Sequence, residues 1–131
     1  MKIAATIARY LLGLVFTIFG LNGFLNFIPP APMPPLALQF IGPLVQSHYM
    51  AFVFTIELAG GLLLLANQYL PLALALLGPV IVNILLFHIL MAPGGLPMAL
   101  VVAVLWFGLF YAHRPAFSGL FLRRAGSSIV Y

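Results

Sequence analysis

Four apolar runs dominate this chain, and each is about the length a helix needs to cross the ~30 Å hydrocarbon core of a bilayer, roughly 20 residues. They extend from about Ile3 to Leu25, Tyr49 to Asn67, Leu70 to Met91 and Leu96 to Ala112. No water reaches the backbone inside hydrocarbon, so a spanning segment must satisfy its own N–H and C=O groups, and runs this continuously apolar do so as helices. Only 5% of the 131 residues are charged and 65% are hydrophobic, whereas a soluble domain carries about 25% charge. Lipid is therefore the expected surroundings. The net charge is +4, but the basic residues lie toward the chain ends and not in the patch or stripe of a nucleic-acid-binding face. Nucleic acid is not an expected partner. The absence of cysteine removes disulfides, iron–sulfur clusters and thiolate metal sites together.

The connections predict an all-α membrane protein: a four-helix transmembrane bundle forming a single domain over residues 1–131. "ANQYLP" and "MAPGGLP" are tight turns that make their flanking spans antiparallel neighbours. The first connection, residues 26–48, differs, with five prolines between Pro29 and Pro35. It should begin stiff and extended, and its apolar continuation from Leu36 to Val45 suits a short interfacial helix. Lys2 and Arg9 resemble the charged flank of a secretory signal. No small-residue cleavage site follows, however, so the first span is expected to remain as a helix. Lys2, Arg9, Arg114, Arg123 and Arg124 all fall on one side of a four-span chain, and the two opposite loops carry no Lys or Arg. The positive-inside rule then predicts both termini inside (N-in/C-in), a cytoplasmic tail at 113–131 and an outer Pro-rich loop. The expected location is the cytoplasmic (inner) membrane, crossed several times.

Against this background "VFTIELAGGLLLL" places Glu57, the only acidic residue of the chain, within an apolar run. An ionisable group at the bilayer centre costs about 2.5–3.5 kcal/mol on insertion scales, so it is expected to face the bundle interior and find a partner. Glu57 lies eight residues into its span from the outer side, roughly 12 Å deep at 1.5 Å per residue. Asn83 reaches a similar depth from the outer end of the third span, and Thr17 falls there too; His88 and Asn22 lie nearer the surface. Gly60 and Gly61 follow Glu57 at i+3 and i+4 and permit close helix approach. Arg9, Gly13, Thr17 and Gly20 form a small-and-polar stripe on the first span, and Pro79 should loosen the third span one turn before Asn83. Without a counter-charge Glu57 is expected to stay protonated, hydrogen-bonded to Asn83 or a water. The competing arrangement is an ion pair with Arg9, whose backbone lies roughly 12 Å away along the bundle axis; Arg9 could instead snorkel to the inner headgroups.

Each of these residues also has a purely structural reading. Glu57 could fix helix packing, Asn83 could act as interhelical glue, and His88 could be an interfacial packing histidine. Trp106 reads as core or lipid contact. His48, His88 and His113 do not assemble into a haem or metal site, and no phosphate-binding or dinucleotide-binding motif is present. No catalytic residues can be named, and a non-catalytic subunit fits better than a stand-alone enzyme.

"ARYLLGLVFTIFGLNGFLNF" followed by "ELAGGLLLLANQYLPLALALLGPVIVNILLFHILMAPGG" resembles the DoxX family of small four-helix bacterial and archaeal membrane proteins. The resemblance rests on Arg9, Gly13 and Gly20, on Glu57, Ala59, Gly60 and Gly61, and on Asn83 and His88. Members often carry a Lys shortly after the second glycine of the first span, where this chain has Asn22 and Gly23. The resemblance implies a membrane subunit or accessory of a quinone-linked oxidoreductase system, with Glu57, Asn83 and His88 as pocket residues. Together these readings give an expected ligand-binding set of Glu57, Asn83, His88, Thr17 and Arg9 for a small lipophilic molecule, a quinone being the obvious candidate. A small proton-coupled permease is the first alternative. An assembly or chaperone-like partner of other membrane proteins is the second, and a homodimer or other membrane proteins are the candidate protein partners.

Overall fold

The apolar runs fold as helices, arranged in chain order as α1 (Lys2–Leu25), α2 (Pro35–Gln46), α3 (Tyr49–Ala66), α4 (Leu70–Leu90) and α5 (Leu96–Ala112). These come from a computed structural model that describes residues 2–126. Four of the helices are long and apolar enough to cross a membrane. The last reaches that length because a 3-10 turn, Pro93–Gly95, runs into α5 and makes a 20-residue stretch. Only 17% to 28% of the most apolar window of each span is buried within the bundle. The exposed surface is mostly Leu, Ile, Val and Phe, so the helices are apolar nearly all round. That is the pattern of a bundle solvated by lipid.

The four long helices close into a ring in which α1 packs on α3 and α5, and α4 packs on α3 and α5. Neighbours run antiparallel. The start of α1, the α3–α4 turn and the end of α5 therefore share one end of the bundle, here the terminal end. At the opposite, loop end, α2 packs against α3 and buries Ala37 completely. Its Phe40 ring lies 6.0 Å from that of Phe87 on α4. The chain enters this region through Asn22, whose Oδ1 accepts the Ile28 N–H at 2.7 Å. The expected short apolar helix in the first connection is thus α2.

The seam between α1 and α3 is set by missing side chains. A Cβ on Gly61 would lie 2.6 Å from the Thr17 backbone nitrogen, and one on Gly20 would lie 2.7 Å from that of Leu58. A Cβ on Gly13 would come within 3.2 Å of the Gly61 carbonyl, and one on Gly23 would enter the Phe54 ring. The two backbones are therefore in contact over more than two helical turns, as small residues permit in lipid, where dispersion and not water exclusion drives association. Gly60, the neighbour of Gly61, faces the other way, and its missing Cβ admits Leu77 of α4. One glycine pair thus serves both ring neighbours of α3, α1 and α4. Against α5, α4 uses Gly78, beneath the Trp106 ring, and Trp106 Nε1 donates to the Leu74 carbonyl at 2.9 Å.

Alanine substitutions separate these contacts from mere glycine content. Gly61→Ala must push α1 and α3 apart and is expected to destabilise the bundle by about 1–3 kcal/mol, the usual range for overpacking. Gly108→Ala meets nothing within 4 Å and should be neutral or stabilising by up to about 1 kcal/mol through helix propensity. Reversible unfolding in mixed micelles measures both.

Candidate functional site

Glu57 belongs to the one buried face of α3, with Gly60, Gly61 and Leu64. It is 8% exposed and is the one polar or charged side chain buried in the core among the described residues. No hydrogen bond or ion pair reaches it among those residues. One turn nearer the terminal end, Thr17 of α1 lies against Gly61, and its Oγ1 is fully enclosed without a hydrogen-bond partner. The chain's other threonines behave differently. Thr6 and Thr55 are exposed and donate to the carbonyls four residues earlier, at 2.9 and 2.7 Å. That back-bond is the usual resort of a helical threonine, and Thr17 does not make it. Two groups capable of hydrogen bonding thus stand about one turn apart along the α1–α3 seam, both unused.

The structure does not bring Asn83 to Glu57, which corrects the expected hydrogen bond between them. Gly60 faces Leu77, so Glu57 is about level with Val80 and Ile81, and Asn83 is only some 4 Å further along α4. The level is right and the face is wrong. Asn83 stands two residues, about 200° of helical rotation, from the buried Ile81. Its side chain is exposed, and Nδ2 donates to the Pro79 carbonyl at 2.8 Å. His88 lies roughly 12 Å from that level toward the loop end. Its Nδ1 is 3.0 Å from the Ala92 carbonyl, and a Cβ on Gly95 would strike the imidazole. His88 therefore closes the α4–α5 connection, the packing role open to it from the outset.

Arg9 is also engaged elsewhere. Its Nη1 donates to the carbonyls of Leu64 and Leu65 at 2.6 and 3.2 Å, the last turn of α3, where the chain then reverses through Asn67 in the left-handed region. A cation at this position meets the last carbonyls of the helix and the negative end of its dipole. The Arg9–Glu57 pair does not form. Of the five expected ligand-binding residues, Glu57 and Thr17 stand about one turn apart on neighbouring helices; Asn83, His88 and Arg9 make their bonds elsewhere. Trp106, read from the sequence as a core or lipid contact, proves to be a hydrogen-bond donor that ties α5 to α4. The signal for it is Gly78, a small residue able to admit an indole against the face of α4.

No family model, no curated protein and no solved structure matches the chain, so the chemistry of the site rests on its own residues.

Removing Arg9 and removing the charge of Glu57 should have unequal effects. Arg9→Met removes the charged donor from the Leu64 and Leu65 carbonyls, of which Leu64 keeps the Asn67 N–H, and is expected to cost about 1.5–3 kcal/mol, the range for a hydrogen bond from a charged group. Glu57→Gln breaks no bond and should change stability by less than about 0.5 kcal/mol. Equal losses in unfolding titrations would instead indicate an Arg9–Glu57 pair.

Proposed function

We propose that this chain is a DoxX-like, multi-pass protein of the cytoplasmic membrane with both termini inside, and that it binds a small lipophilic molecule through Glu57 and Thr17. In this reading it is an accessory subunit of a quinone-linked oxidoreductase system and has no catalytic centre of its own. The observation that carries the reading is the enclosed Thr17 Oγ1 without a partner, on the same seam as the buried and unpaired Glu57. An ionised carboxylate there would have no counter-charge, so the neutral acid is the form that fits. A protonated carboxyl and a hydroxyl are both donors, complementary to a molecule bearing carbonyl acceptors, as a quinone does. The arginines at the terminal end and the loops free of Lys and Arg support the orientation.

A second reading is favoured by Asn83. Its amide is exposed on the apolar outer surface of α4 with one donor bond, to Pro79. The remaining amide capacity faces lipid, which cannot hydrogen-bond to it. A partner helix could satisfy it, as expected of a component of a larger membrane assembly.

The two readings part at Thr17→Val. Removing an unsatisfied buried hydroxyl should stabilise the empty protein by about 1 kcal/mol. The same change should weaken retention of the bound molecule several-fold, and Glu57→Gln should weaken it too. Native mass spectrometry of gently purified protein, with solvent extracts analysed for quinones, reads the retention. A molecule held equally by wild type and both variants would defeat the ligand reading. Co-purified protein without any small molecule, lost in Asn83→Leu, would favour the assembly reading.

A further inference from the structure

At the terminal end of the bundle, about 30 Å from the loop end along helices of this length, lies a cleft of about 360 Å3 bounded by α1, the α3–α4 turn and the end of α5. Lys2, Arg9 and Arg114 line it, with Thr6, Asn67 and His113. Three positively charged side chains from the two ends of the described chain thus converge on one concavity. The only acidic side chain of the chain is Glu57, which lies in the core some 12 Å from the level of Arg9. No acidic side chain therefore neutralises this cluster.

Two of the three cations are held in place. The Arg9 guanidinium is anchored through Nη1 on the carbonyls of Leu64 and Leu65 and lies 4.3 Å from the Tyr10 ring centroid. The Arg114 guanidinium donates through Nη1 to the Tyr111 carbonyl at 2.8 Å and lies 4.3 Å from that residue's ring centroid. Each guanidinium keeps its Nη2 and Nε donors unused among the described residues. Lys2 Nζ and the Asn67 amide make no hydrogen bond there either. His113 Nδ1 is committed to the Leu109 carbonyl, 2.9 Å away. The cleft accordingly offers fixed donors and positive charge, with Thr6 as its hydroxyl member bonded back to Lys2.

We propose that this cleft binds a phosphate group, with Arg9 and Arg114 as the forked donors and Lys2 as the mobile charge. Guanidinium forks match the oxygen geometry of phosphate and bind it through paired, charge-assisted hydrogen bonds. Because four helices are long and apolar enough to cross a membrane, the ends of α1 and α5 fall at headgroup level, and a phospholipid phosphodiester can enter from the side. A soluble phosphate anion has the same chemistry and would enter from water. The site is separate from the Glu57–Thr17 seam and does not depend on the ligand proposed there.

The test uses the full chain in neutral-detergent micelles, titrated with phosphatidylglycerol, with phosphatidylcholine of the same acyl chains, or with inorganic phosphate, and read by native mass spectrometry. Wild type is expected to retain one phosphatidylglycerol at least tenfold better than phosphatidylcholine. Because Arg9→Gln removes the bonds that close the end of α3, the deciding variant is Lys2→Gln/Arg114→Gln, whose side chains join no two helices. It should lose that preference at least tenfold with unchanged thermal unfolding. Arg123→Gln/Arg124→Gln, which removes the same charge outside the cleft, should keep it. Inorganic phosphate that displaces the lipid, or binds alone and is lost in the cleft variant, supports the site with a soluble anion as its source. No preference for either phosphate-bearing anion over phosphatidylcholine, or an equal loss in the two double variants, overturns the proposal.

Discussion

Because position 61 has no Cβ, the backbone of α1 can rest on that of α3, and most of what is distinctive in this bundle follows from that contact. At Gly20 and Gly61 the two helices are so close that an added methyl would meet backbone nitrogen first, and at Gly13 it would press on the Leu65 side chain and the Gly61 carbonyl. Once the seam is set, Glu57 has no choice of face. It shares the buried side of α3 with Gly60 and Gly61, and turning it outward would remove the glycines from both helices they serve. The same contact encloses the Thr17 hydroxyl. An unpaired carboxyl and an enclosed hydroxyl are thus consequences of close packing.

The rest of the bundle is tied by polar groups that cross between helices or close their ends. Trp106 joins α5 to α4, Arg9 closes the end of α3, His88 holds the α4–α5 connection, and Asn22 anchors the chain as it leaves α1. Each is a donor or acceptor meeting a backbone group, and no side chain bonds to another side chain in any of these four ties. In a chain with a single acidic residue interhelical ion pairs are scarcely available, and backbone groups at helix ends and near Pro79 become the natural partners. Apart from Glu57, the charge is left to the bundle end and the residues beyond it, where it meets headgroups and water.

Hydropathy alone locates the four long helices, because lipid demands a long apolar run from every spanning segment. The glycine stripe of α1 was equally legible: Gly13, Thr17 and Gly20 recur at helical spacing, and small residues mark close approach. Rotation was harder to read. Asn83 and Glu57 share a depth, which residue counting gives directly. The azimuth of α4 follows from which of its many apolar residues are buried, and in a helix apolar all round the sequence carries almost no signal for that. Arg9 and His88 were candidate ligands by residue type. Their engagement with the carbonyls of Leu64 and Ala92 depends on chain reversals at Asn67 and Gly95, whose geometry composition does not reveal. Trp106 was ambiguous for the same reason: the indole N–H needs an acceptor when buried, but the sequence does not say which carbonyl is near.

The central claim is that Glu57 sits in the bundle interior as an unpaired, neutral carboxyl. Infrared difference spectroscopy of wild type against Glu57→Gln in bilayers addresses it directly, because the chain has one acidic side chain and the variant supplies the blank. The account predicts the carbonyl stretch of a protonated carboxyl at neutral pH, exchanging slowly in deuterated water. Carboxylate stretching bands in its place would mean that Glu57 is ionised by a partner or by water, and the account of the site would be wrong.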